Sequence, residues 1–144
     1  MSHRNVDCTL TLTKGLNDLP YIAEQLSMFL KEYESLINPV NLMIEELYSN
    51  SIYYGSANPL NVNIHLKINN GMLEVIYEDN GKPFNPLIEA DSPDLEQSIE
   101  DRQIGGLGIH FIKSMTDQQN YQRINSLNQL TLVKKLTSTA HAKH

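Results

Sequence analysis

Cysteine is almost absent from this chain, and long apolar runs are absent altogether. The one cysteine in 144 residues, Cys8, has no internal partner, so no disulfide staples the fold and a cytoplasmic setting is expected. No apolar stretch reaches the roughly 20 residues that span a bilayer, and none follows a basic n-region, so neither a membrane span nor a secretory leader is expected. Cations are also scarce. Eleven Lys plus Arg stand against 17 Asp plus Glu, for a net charge of -6, which argues against nucleic acid as a main partner because backbone affinity comes from clustered cations. An acidic surface suits solubility and protein partners instead. The histidines His3, His65, His110, His141 and His144 show no ligand spacing, so nothing suggests zinc. No internal repeat and no low-complexity tract is present. The length suits a single domain over residues 1–144, large enough to bury a core without staples.

What is present is periodic. Residues 6–13 alternate polar and apolar with many β-branched side chains and predict a strand. Leu19, Ile22, Ala23, Leu26, Phe29, Leu30 and Tyr33 recur at helical spacing and predict a helix over residues 18–36, capped by Asn17 or Asp18 with Pro20 in the first turn. Asn38-Pro39 repeats that start signal for a second helix. Its inward stripe is Val40, Met43, Ile44, Leu47 and Ser51, and it ends near Gly55. Two strictly alternating runs, 60–68 and 72–78, flank Asn69-Asn70-Gly71, the strongest hairpin signal in the chain. A helix over 106–116 and two strands, 120–125 and 128–136, separated by Ser126-Leu127, complete the core of residues 6–136. Between them, residues 82–104 are rich in Pro, Asp, Glu and Ser with few large apolar side chains. That composition predicts a lid, mobile without a ligand, and residues 138–144 predict a frayed tail.

Three short segments carry chemistry. Glu46 and Asn50 stand four residues apart on the second helix, so both side chains act on one volume at the border between the apolar stripe and the polar face. A carboxylate beside a carboxamide suits magnesium-assisted phosphate chemistry, offering a proton acceptor and a hard oxygen for the metal. Asp79-Asn80-Gly81 ends a strand with room for a ligand at the carboxylate; alone it reads as an ordinary turn. Gly105-Gly106-Leu107-Gly108 opens a helix. Three glycines there cost conformational entropy, which close backbone approach to phosphate would explain through the unpaired N–H groups. Arg102, just before this cluster, reads as a charge partner for a terminal phosphate, and Tyr54 is the tyrosine best placed to touch a nucleotide.

The order of these segments resembles the N, G1 and G2 boxes of the GHKL superfamily, the Bergerat ATP-binding fold of gyrase-type topoisomerases, the large heat-shock chaperone, histidine kinases and MutL. The carrying residues are Glu45 to Gly55, Asp79 to Phe84 and Ile104 to His110. Over residues 6–136 the chain is most similar to anti-sigma-factor serine/threonine kinases of the RsbW and SpoIIAB type. The resemblance implies an α+β two-layer sandwich, with a mixed, mostly antiparallel sheet of about five strands covered on one face by roughly three helices. It implies ATP and Mg2+ as cofactors. Asp79 would accept the adenine amino group, Gly81 would admit the base, Asn50 would give an oxygen to magnesium, and Gly105, Gly106, Leu107, Gly108 and Ile109 would offer N–H groups to phosphate. Glu46 would be the general base. Phe84 and Ile104 fall within the matched boxes, and Gln129 or Thr131 would border the base, although the last strand lacks the family's Gly-Thr step. The implied function is phosphorylation of an anti-anti-sigma STAS-domain protein in a partner-switching system of transcription regulation, with a sigma factor as second partner and room for a homodimer. The rival reading is a nucleotide-gated binding module of the same fold that transfers no phosphate.

Overall fold

Strands with apolar residues at every second position form a sheet that has to bury one face. The computed structural model describes residues 6–89 and 106–136. In chain order these form β1 (Val6–Leu12), α1 (Leu19–Phe29), α2 (Glu34–Tyr54), β2 (Val62–Asn69), β3 (Met72–Asp79), the one-turn α3 (Pro86–Glu89), α4 (Gly106–Met115), β4 (Gln118–Ile124) and β5 (Leu127–Lys135). The strands make one sheet in the order β1-β2-β3-β5-β4. The architecture is the expected α+β sandwich with one correction: every neighbouring pair is antiparallel, so the sheet is not mixed. Leu10, Leu12, Ile64, Leu66, Val75, Leu130 and Leu132 bury one face against Ile22, Leu26, Val40, Ile44, Leu47 and Ile112 of the helices. The opposite face carries Thr9, His65, Glu78 and Gln129, joined across strands by side-chain contacts.

Local chemistry explains where elements begin and end. Asn70 and Gly71 both take positive φ, 53° and 77°, the conformation that lets a two-residue loop follow the twist of the β2–β3 hairpin. The second hairpin turns on Asn125 and Ser126, φ 51° and 66°, one residue earlier than expected. Without a glycine that turn has a weak sequence signal.

The first helix stops at Phe29, well before residue 36. A turn at residues 30–33 separates it from α2, with the Tyr33 N–H donating to the Leu30 carbonyl. Leu30 and Leu36 are both buried and keep helical spacing with Tyr33, so the apolar period runs through the break and conceals it. α2 then starts at Glu34, which places Pro39 inside the helix and not at its start. Asp18 does not cap α1. Its Oδ2 instead accepts the Lys14 N–H at 2.7 Å and the Tyr48 hydroxyl at 2.8 Å, while that hydroxyl accepts the Gly15 N–H at 3.0 Å. Burial, reinforced by Asp18, pushes the Tyr48 phenol well above its usual range.

This buried bridge pins the turn before α1 to the middle of α2. Tyr48→Phe leaves the Asp18 carboxylate and the Gly15 N–H each short of a partner. The expected cost is about 1–3 kcal/mol in urea unfolding, with the m-value unchanged.

Candidate nucleotide-binding site

A cleft of about 410 Å³ opens between the C-terminal half of α2, the end of β3, residues 82–86 and the β4–β5 pair. Its floor is polar in an otherwise apolar surround. Asp79, 8% exposed, accepts on Oδ1 from the Gly81 N–H at 3.0 Å and from Asn128 Nδ2 at 2.8 Å, and on Oδ2 from the Ser51 hydroxyl at 2.5 Å. A carboxylate offers about four acceptor positions, so among the described residues one on Oδ2 is left for a donor entering the cleft. An exocyclic amine fits that vacancy.

Ser51 and Asn128 are themselves held. The Tyr77 hydroxyl donates to the Leu47 carbonyl at 3.1 Å and lies 2.6 Å from Ser51 Oγ, and burial drives its phenol well above its usual range. Asn128 Nδ2 also donates to the Lys82 carbonyl at 2.8 Å, while its Oδ1 accepts the Phe84 N–H at 3.1 Å and the Tyr121 hydroxyl at 2.5 Å. All four capacities of that amide are used, which fixes its orientation and fastens the first residues of the lid segment to β5.

The rim depends on two glycines. A Cβ on Gly81 would stand 2.9 Å from both the Cα and the carbonyl oxygen of Gly55, and the Lys82 N–H donates to that oxygen at 2.8 Å. Gly81 was expected to admit the base; in the structure its bare Cα admits the backbone at the end of α2, and the Arg123 guanidinium holds its carbonyl at 2.8 Å. Asn80 ties the same corner to the loop before β2 through Asn61 and Pro59. Tyr54 and Phe84 form one wall, rings 6.2 Å apart and 19° from parallel.

Asn50 lines the cleft, is 4% exposed, and neither its Oδ1 nor its Nδ2 has a hydrogen-bond partner among the described residues. An orphaned buried amide is costly unless a ligand completes it. Its oxygen fits a hard cation such as Mg2+. Glu46, one turn away and half-buried, does not line the cleft. Its carboxylate lies against Gly108 in the first turn of α4, and burial, then the neighbouring Glu45, raises its proton affinity.

Several expectations need correction or fall elsewhere. On β5, residues 128, 130 and 132 face the helices, so Gln129 and Thr131 point to the other face, and Gln129 Nε2 donates to Glu78 Oε2 at 2.7 Å. The residue opposite Asp79 in register is Asn128. The alternation of Leu130 and Leu132 carried the signal: it forces Asn128 inward, and a polar side chain on an apolar face invites explanation. Tyr77, Tyr121 and Arg123 were also missed. Ile109 is a core side chain and His110 is exposed. Gly106 opens α4, whereas Arg102, Ile104, Gly105, most of the lid and the tail lie outside the described residues.

The fold, the cleft and the order of its residues define an ATP-binding domain. Residues 24–134 match the histidine kinase-like ATPase domain, and the chain belongs to that family. Among characterised proteins it is similar to "Serine/threonine-protein kinase BtrW" from Bordetella bronchiseptica, 37% identical over 71 residues, which are 48% of this chain and 49% of that protein. The match thus spans about half the length of either. No helix among the described residues is long and apolar enough to cross a membrane.

A nucleotide that binds only the folded state raises its stability by about 2.7 kcal/mol at 100 times its Kd. Mg-ADP is expected to raise the melting temperature of the wild type. Asp79→Ala should abolish the increase, and Asn128→Ala should reduce it, in a thermal-shift titration of variants shown to be folded by circular dichroism.

Proposed function

We propose that this chain is an ATP-dependent serine/threonine protein kinase of the anti-sigma type, which phosphorylates an anti-anti-sigma STAS-domain protein and sequesters a sigma factor in a cytoplasmic partner-switching system. The observation that carries the reading is the pairing of a buried carboxamide without a partner among the described residues, Asn50, with a half-buried carboxylate, Glu46, one helical turn apart beside a cleft whose floor offers an acceptor for an amino group. The likeness to a serine/threonine-protein kinase supports the same class.

In this mechanism Asp79 orients the adenine, and Tyr54 and Phe84 flank it. The N–H groups at the start of α4 take the phosphates. Asn50 would hold magnesium, which when bound would supply positive charge to offset that of the phosphates. Glu46 receives the proton of the acceptor hydroxyl as that oxygen bonds to the γ-phosphorus and the bond to the bridging oxygen breaks, leaving phosphoserine and ADP.

Because Glu46 acts as a base, transfer should rise with pH through its raised pKa and then level. Linkage gives a second signature. A carboxyl whose folded pKa is raised contributes stability below its unfolded pKa, and that contribution is lost as pH rises through the folded value. Glu46→Gln should therefore melt no lower than wild type near pH 8 while losing transfer by ~10²-fold or more, with Mg-ADP binding retained. Incubation with labelled ATP and purified STAS-domain candidates measures this. Equal transfer by wild type and Glu46→Gln would remove Glu46 as the base, and binding of a candidate without transfer by either would favour the nucleotide-gated module.

A further inference from the structure

Gly108 has an unusual neighbour. A Cβ built there would stand 2.1 Å from Glu46 Oε1 and 2.5 Å from both Cδ and Cγ, and these are its three nearest atoms. Real Cβ atoms essentially never come closer than 3.0 Å to another heavy atom. At Gly81 the obstructing atoms are backbone; at Gly108 they are the far end of one flexible side chain. A substitution at 108 would thus be absorbed by Glu46 moving, with the helices left in place. Within α4, alanine is also the better helix former, so glycine at this position gives up local stability.

We propose that Gly108 is a positioning residue for Glu46: its missing side chain is the seat in which the carboxylate rests against the first turn of α4, and any side chain there evicts it. The proposal rests on the reading of Glu46 as the base and adds a determinant that acts through it. Alanine at 108 keeps the backbone N–H, so phosphate binding by that turn is preserved while the carboxylate is displaced. The predicted signature is a split: binding retained, turnover lost.

The test uses the full chain as wild type, Gly108→Ala and the Gly108→Ala/Glu46→Asp pair. The side-chain carboxyl 13C resonance of Glu46, assigned by its loss in Glu46→Gln, reads the seat without any activity. In Gly108→Ala that resonance should move, Mg-ADP affinity by calorimetry should stay within about threefold, and kcat toward the STAS-domain protein that wild type phosphorylates should fall ~10²-fold with KM for ATP unchanged. An unmoved resonance, or ADP affinity falling as far as kcat, overturns the proposal, the latter by showing that Gly108 acts on the nucleotide directly. If Gly108→Ala melts lower than wild type, the shorter aspartate in the double variant should restore the melting temperature; a temperature that stays low overturns it too. If wild type transfers no phosphate while the resonance still moves, the kinase reading fails and the seat stands.

Discussion

One buried carboxylate organises the site. Asp79 sits at the end of β3, and its three hydrogen bonds reach α2 through Ser51, the following turn through the Gly81 N–H, and β5 through Asn128. Burial of an ionised group costs several kcal/mol unless donors replace its water, and bonds to a charged acceptor return about 1.5–3 kcal/mol each. The donors therefore have to be in place before any ligand arrives. Tyr77 fixes Ser51, and Tyr121 with the Phe84 N–H fixes Asn128, so a second ring of polar groups holds the first. Among the described residues one acceptor position is left over, on a carboxylate that lines the cleft.

Around this hub two polar groups sit unfavourably in the isolated fold. Asn50 keeps a buried amide without a described partner, and Glu46 keeps a carboxylate where burial favours its protonated form. Both lie on α2 within a turn of each other, and both are unfavourable in the isolated fold. Strain of this kind is expected where a ligand or a transferred proton completes the chemistry. The Gly55–Gly81 backbone contact closes the arrangement, because it brings the turn after Asp79 onto the end of the helix that carries Asn50 and Glu46.

Much of this was legible in the residues. Asn70-Gly71 announced the central hairpin because few dipeptides accept two positive φ angles in a row, and strict alternation announced which faces of β2 and β3 are buried. The positions of Glu46, Asn50 and Asp79 followed from helical and strand periods alone. The break between α1 and α2 was hidden because Leu30, Tyr33 and Leu36 keep a helical period through a turn. Pro39 read as a start signal because proline favours first turns, yet α2 accommodates it in its interior. Asn128 was overlooked because its partner Asp79 is set by long-range register, although the alternation of Leu130 and Leu132 already turns Asn128 inward and Thr131 to the other face.

A bound nucleotide would complete two groups left unsatisfied among the described residues, an acceptor of Asp79 and the amide of Asn50. A crystal structure of the Mg-ADP complex tests both at once. In that complex an adenine amino nitrogen is expected within hydrogen-bond distance of Asp79 Oδ2, with Asn50 Oδ1 bound to magnesium at about 2.1 Å. A base seated away from Asp79, or a metal held without Asn50 while its amide stays unpartnered, would contradict it.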